Sequence, residues 1–221
     1  EASERRALSG FHATLAGSDP TLIRLLTQAD RLAPTQVPLL ICGESGSGKT
    51  KLARAIHMAS RRGRFVAIDC AGTHPEEMRD ALDGQSGPGT LLLRRIEDLQ
   101  PDTARVLASL LDANPDLRPI STTAYAPSDL MAQEIMPSAL YFRLSGSALE
   151  LPPLRERQDL GWLIDRLLRR RRGGEMRLTP SARAELTARN WPGNLRELGN
   201  VLDVACAMAE TIPTSASACA A

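Results

Sequence analysis

No apolar run in this 221-residue chain reaches the ~18 residues that a membrane-crossing helix needs, and the amino end "EASERRALSG" does not read as a signal peptide. The expectation is an intracellular, cytoplasmic protein without a membrane partner. Paired cysteines are also lacking. Cys42, Cys70, Cys206 and Cys219 lie far apart without CxxC or Cys-His spacing, which argues against a metal site or a disulfide framework and for reduced thiols. An excess of one charge is missing too: the net charge of +1 gives no global electrostatic case for a nucleic-acid binder. Lysine is nearly absent, since of 27 basic residues only Lys49 and Lys51 are lysine and the rest are arginine.

What remains is ordinary globular material. Apolar residues make 43% and charged residues 24%, and the length suits one domain with an appendage or two small ones. The segment "DPTLIRLLTQADRLA" predicts a helix with Asp19 as N-cap and Pro20 at its first position. The short all-apolar run at residues 37–42 reads as a strand buried on both faces. Strands at "RFVAIDC", "TLLL", "LRPISTT" and "ALEL" then alternate with helices at "KTKLARAIHMASRR", "PEEMRDAL", "PDTARVLASLLD" and "PSDLMAQEI". That alternation implies a parallel sheet covered on both sides, a doubly wound α/β core. After Pro152 and Pro153 the strand-like runs stop, and helices near residues 157–172, 180–189 and 193–209 imply a small all-helical unit. The expected organisation is a linker at 1–12, an α/β nucleotide-binding unit at 13–152, a helical lid at 153–209 and a tail at 210–221. The chain begins without Met and trails off in "TIPTSASACAA", so flanking domains are expected outside it.

Between the apolar run and the next helix stands "GESGSGKT", which matches G-x-x-x-x-G-K-[ST]. Gly43, Glu44, Ser45, Gly46, Ser47 and Gly48 let successive backbone N–H groups and the helix N-terminus face a polyphosphate. Lys49 is expected to reach the β and γ phosphates, and Thr50 to help hold Mg²⁺. In a chain that prefers arginine, the loop keeps the compact ammonium that fits among phosphates.

These motifs, with "RFVAIDCAG", "GTLLL", "ALYFRL", "LPPLRERQDL" and "WPGNLREL" in order, resemble the AAA+ domain of bacterial enhancer-binding proteins, the sigma-54 activators. The resemblance covers residues 17 to about 208. It implies an oligomeric ATPase, forming hexamers or heptamers, that remodels RNA polymerase bound to its alternative sigma factor. By the same resemblance Gly43 to Thr50 match the Walker A loop, Arg196 the sensor II arginine, and Arg143 one of two arginine fingers that reach a neighbouring subunit's site. Other positions depart from the family's pattern. Its Walker B strand resembles "GTLFLDEIGEL", so its Asp and Glu fall on Arg94 and Arg95, and a guanidinium can neither ligate Mg²⁺ nor accept a proton. Glu97 and Asp98 lie beyond the strand end and are poor substitutes. The sensor I Asn falls on Ala124 and the second finger on Pro137. The "GAFTGA" loop has no room, because only "QSGP" separates Gly84 from Gly89, and a second insertion is cut to "DANPD".

Loss of one well-placed polar group from a catalytic site slows a reaction by roughly 10² to 10³, and several are missing here. The expectation is a domain that binds ATP or ADP, with Mg²⁺ weakened, and hydrolyses it very slowly or not at all. Self-association, from dimer to hexamer, is expected, RNA polymerase is a candidate partner, and DNA contact is expected only through domains outside this chain. Three alternatives stand beside it: a slow but active ATPase, a vestigial pocket in a domain that only assembles, and a domain responsive to a cyclic dinucleotide, which the resemblance also allows. If Arg94 faces the site it places a fixed cation beside the Mg²⁺ position, although strand-end arginines more often snorkel to solvent. The run Arg169 to Arg172 reads as a helix C-terminus complementing its dipole rather than a DNA contact. Trp191 is expected to bury its ring against the lid helices and so position Arg196.

Overall fold

The computed structural model describes residues 17–83, 87–171 and 178–208. The linker at 1–12 and the tail at 210–221 lie outside the described residues. Helix α1 (Pro20–Leu32) starts where the sequence predicts, with Asp19 Oδ1 accepting from Leu22 N at 2.8 Å. Then follow β1 (Leu39–Cys42), α2 (Lys49–Ala59), β2 (Arg64–Asp69), α3 (Pro75–Leu82), β3 (Gly89–Arg94), α4 (Pro101–Ala113) and β4 (Leu117–Thr123). The order continues with α5 (Pro127–Ala132), α6 (Ser138–Leu144), β5 (Ser147–Glu150), α7 (Leu160–Arg169), α8 (Pro180–Ala188) and α9 (Asn194–Met208).

The five strands form one parallel sheet in the order β2-β3-β4-β1-β5. Because side chains alternate along a strand, β1 sends Leu39 and Ile41 to one face and Leu40 and Cys42 to the other, and each face has its own core. On the first face lie Leu22, Leu26 and Leu52 of α1 and α2, joined by Leu163, Leu198 and Trp191 of the C-terminal segment. On the second lie Met78, Leu107 and Leu140. Arg118 of β4 is 1% exposed and donates to the carbonyls of Leu32, Ala33 and Val37 at 2.9 to 3.0 Å, so it satisfies the carboxyl end of α1.

Several boundaries differ from the sequence expectations for local reasons. Strand pairing in β1 begins at Leu39 rather than residue 37, since Pro38 has no N–H to donate, although its carbonyl accepts from Ser147 N. Helix α2 stops at Ala59: Ser60 Oγ bonds His57 O, and Arg61 turns left-handed at φ 58°. Helix α5 ends at Ala132, ahead of the expected segment's end, with Glu134 at φ 50°. Helix α6, which the sequence reading does not assign, carries the "ALYFRL" motif. Helix α7 starts at Leu160, not 157, because Arg157 and Asp159 are committed to a buried ion pair at 2.8 Å. Of the arginine run, Arg171 bonds Asp203 Oδ1 at 2.5 Å and the carbonyls of Leu167 and Gly199 on neighbouring turns, a packing role, and Arg172 lies outside the described residues. Among the described residues no helix is long and apolar enough to cross a membrane.

Candidate functional site

The phosphate loop leaves β1 at the carboxyl edge of the sheet and enters α2, where open parallel sheets bind ligands. Gly43, Gly46 and Gly48 all have positive φ, at 141°, 78° and 107°. A Cβ at Gly46 would lie 2.2 Å from the Gly193 carbonyl oxygen, so this position excludes every larger residue. The N-cap of α2 is Gly48, which has no side chain to satisfy the first N–H groups of the helix and leaves them for an anion. Lys49 folds back on the loop, with Nζ donating to Gly43 O at 2.5 Å and Glu44 O at 2.9 Å. Burial pushes the Lys49 ammonium below its usual range, opposed by the nearby Glu97 carboxylate.

A cavity of about 570 Å³ opens beside the loop, a size ordinary for a small-molecule site. Ser45, Gly46, Gly48, Lys49 and Thr50 form one wall, Arg196 and Leu195 of α9 another, and Asp69, Arg94, Arg95 and Thr122 from the ends of β2, β3 and β4 the third. Arg94 therefore does not turn away to solvent: it is half-buried and pairs with Asp69. Arg95 takes the left-handed region at φ 55° and closes on the same carboxylate, with Nε and Nη2 at 2.9 and 2.6 Å from Oδ1, while Arg94 Nη2 holds Oδ2. Burial alone would raise the Asp69 carboxyl, but hydrogen bonds from Arg95 and Arg94 outweigh it and hold it below the usual carboxylate range.

The residues present fit a polyphosphate and do not fit Mg²⁺. Asp69 is the one carboxylate lining the cavity, and both its oxygens are taken by guanidiniums. Among the described residues no group of three or more His, Cys, Asp or Glu is placed to hold a metal ion. Thr50, the expected metal ligand, lines the cavity with hydroxyl chemistry alone.

The structure brings Arg196 to the loop, with Nη1 3.1 Å from Ser45 Oγ. The Trp191 ring is fully buried in the core that also holds Leu198 and Leu202 of α9, and its Nε1 donates to Leu186 O at 2.9 Å. Glu44 does not line the cavity and is bound to Arg155 at 2.5 and 2.9 Å and to Asn194 at 3.0 Å. Arg143 does not reach its own chain's phosphate loop. It pairs with Asp112 and borders a second, smaller cavity with Pro38 and Asn114. Ala124 donates its N–H to Glu97 Oε1 at 2.9 Å, and Glu97 Oε2 is buried without a hydrogen-bond partner.

Sequence reasoning missed Asn194, Asp69, Lys51 and Thr122. Asn194 is fully buried and at φ 51°; its Oδ1 accepts from Leu154 N at 2.8 Å and its Nδ2 donates to Ser45 O at 3.1 Å. An Asn after Pro-Gly at a helix start was a readable signal. Asp69, an acid directly after the apolar run Phe65 to Ile68, was another.

A family profile described as "Sigma-54 interaction domain" matches residues 16–154, and one described as "AAA+ ATPase lid domain" matches residues 155–217. The chain is 40% identical over 232 residues to the acetoin catabolism regulatory protein of Cupriavidus necator, covering 89% of this chain and 35% of that protein. It is 34% identical to the nitrogen assimilation regulatory protein NtrX of Azorhizobium caulinodans, covering 90% of this chain and 51% of that one. The chain thus spans between a third and about half the length of these relatives. Among solved structures, NtrX of Brucella abortus in complex with ATP superposes with a TM-score of 0.75 at 28% identity, over 90% of this chain and 54% of that one. The Thermotoga maritima RuvB branch-migration motor shares the fold at 19% identity and a TM-score of 0.66, over 87% of this chain and 62% of that one.

Proposed function

The chain belongs to the sigma-54 interaction domain family, and from that premise we propose that it is a nucleotide-binding AAA+ regulatory domain that holds ATP or ADP and hydrolyses it very slowly or not at all. The observation that carries this reading is the content of one cavity: an intact phosphate loop with Lys49 and Arg196 on one side, and Arg94 and Arg95 clamped on Asp69 on the other. The first set grips phosphates. The second set can neither ligate a metal nor take a proton from water. Crystals of Brucella abortus NtrX with ATP and with ADP support the choice of ligand.

Without the remodelling loop, such a domain is not a motor acting on sigma-54 polymerase. Its use is as a nucleotide-responsive, self-associating part of a cytoplasmic bacterial transcription regulator, with DNA contact and sensing supplied by other domains and RNA polymerase as a candidate partner. Arg143, paired with Asp112 outside its own phosphate site, is the residue we assign to a neighbouring subunit's site. Calorimetric titration with ATP should show saturable binding that Lys49→Ala weakens by at least about tenfold. Equal affinity in that variant would remove the loop from the account.

A second reading, a slow ATPase, is favoured by one observation. Glu97 Oε2 is buried without a hydrogen-bond partner and the Glu97 charge acts on Lys49, which makes Glu97 the candidate base for that reading. Steady-state phosphate release that Glu97→Gln abolishes would decide for that reading.

A further inference from the structure

We infer that the pocket takes its polyphosphate as the free anion, with the Arg94 and Arg95 guanidiniums filling the role of a divalent cation, so that binding needs no Mg²⁺. This rests on the nucleotide-binding reading above and names the charge state of the ligand at the same site.

Five cationic side chains line the cavity, Lys49, Lys51, Arg94, Arg95 and Arg196, against the single carboxylate of Asp69, which leaves an excess of four formal positive charges. Free ATP carries more negative charge than its magnesium complex and complements that excess better. The two arginines stand at the end of β3 and line the same cavity as the loop, with Thr122 on β4, the strand between β3 and the β1 that leads into the loop. Arg95 is fixed there by its backbone as well as its side chain, its N–H donating to Thr122 Oγ1 at 3.3 Å.

Asp69 acts as an internal placeholder. Its two oxygens orient both planar forks towards the same space, as a phosphate would, and the Arg95 fork binds in a side-on pair of hydrogen bonds. A phosphate arriving from the loop side can share these donors, since each guanidinium carries five N–H groups. A Mg²⁺ ion brought to the same place meets two like charges and no available carboxylate. Glu97, whose charge acts on Lys49, already holds Ala124 N with one oxygen and does not line the cavity.

The test is calorimetric titration of the chain with ATP, once in EDTA and once in excess Mg²⁺, repeated with inorganic tripolyphosphate in EDTA. ATP affinity in EDTA should equal or exceed that in Mg²⁺, and tripolyphosphate should bind in EDTA. The double change Arg94→Asp with Arg95→Glu, verified as folded by circular dichroism, should invert the preference, making ATP bind about tenfold or more weakly in EDTA than in Mg²⁺. A wild-type affinity that falls about tenfold when EDTA is added overturns the inference and leaves the nucleotide-binding reading standing. A folded double variant still indifferent to Mg²⁺ overturns it as well, because the arginines would then not be the cause. No binding in either buffer overturns the nucleotide-binding reading and this inference together.

Discussion

Asn194 joins three parts of the chain through one amide group. Its Oδ1 accepts from Leu154 N at the exit of the sheet, and its Nδ2 donates to Glu44 Oε2 and Ser45 O in the phosphate loop. Since these groups are buried or partly buried, Asn194→Ala strands several of them at once and is expected to cost about 1–3 kcal/mol, read as a lowered urea midpoint. An unchanged midpoint would mean that the amide latches nothing. At Asp69 the residue-scale consequence is pH dependence. Its folded carboxyl titrates below the unfolded value of about 3.9, so the stability the clamp contributes is complete above about pH 4 and is lost as pH falls through the folded value. Asp69→Asn should therefore flatten the acid-side decline of stability measured by urea unfolding between about pH 5 and pH 2. An identical acid limb in the variant would contradict the clamp.

At the scale of elements, Arg118 shows how strand and helix are tied. Its guanidinium is buried in β4, and burial lowers its pKa to about 10, so it stays charged at neutral pH while bonding three carbonyls around the end of α1. Arg118→Ala removes those donors and leaves a cavity, with an expected loss on the order of 3 kcal/mol by chemical denaturation. A loss under about 0.5 kcal/mol, the size of an ordinary surface change, would rule out the strut. The same scale explains what was legible in the sequence. Strand β1 is buried throughout and reads as an apolar run, and β4, buried throughout despite Arg118 and Pro119, carries its signal in Ile120, Thr122 and Thr123; the phosphate loop reads as glycines at fixed spacing. Helix α6 was not legible, because seven residues opened by Pro137 give too short a period to distinguish from a turn.

For the whole molecule, the site exists because distant segments meet. Leu195 N donates to Gly46 O at 3.1 Å, and Gly193 sits so close to Gly46 that no Cβ fits between them. Arg196 could be assigned from the sequence by resemblance. Its seat on Ser45, and the closure of Arg94 and Arg95 on Asp69, could not, since they depend on packing between residues far apart in the chain. A guanidinium at a strand end can snorkel or turn inward, and only the position of Asp69 on the neighbouring strand decides it. On the proposed reading, the combined result is a cavity that binds phosphates and is poorly equipped to split them. The most direct test of that combination is to saturate the chain with ATP and Mg²⁺, hold it for hours at 25 °C, and separate the bound nucleotide by chromatography after acid quench. Recovery of essentially intact ATP from the complex is the predicted result; conversion of the bound nucleotide to ADP within seconds would contradict it.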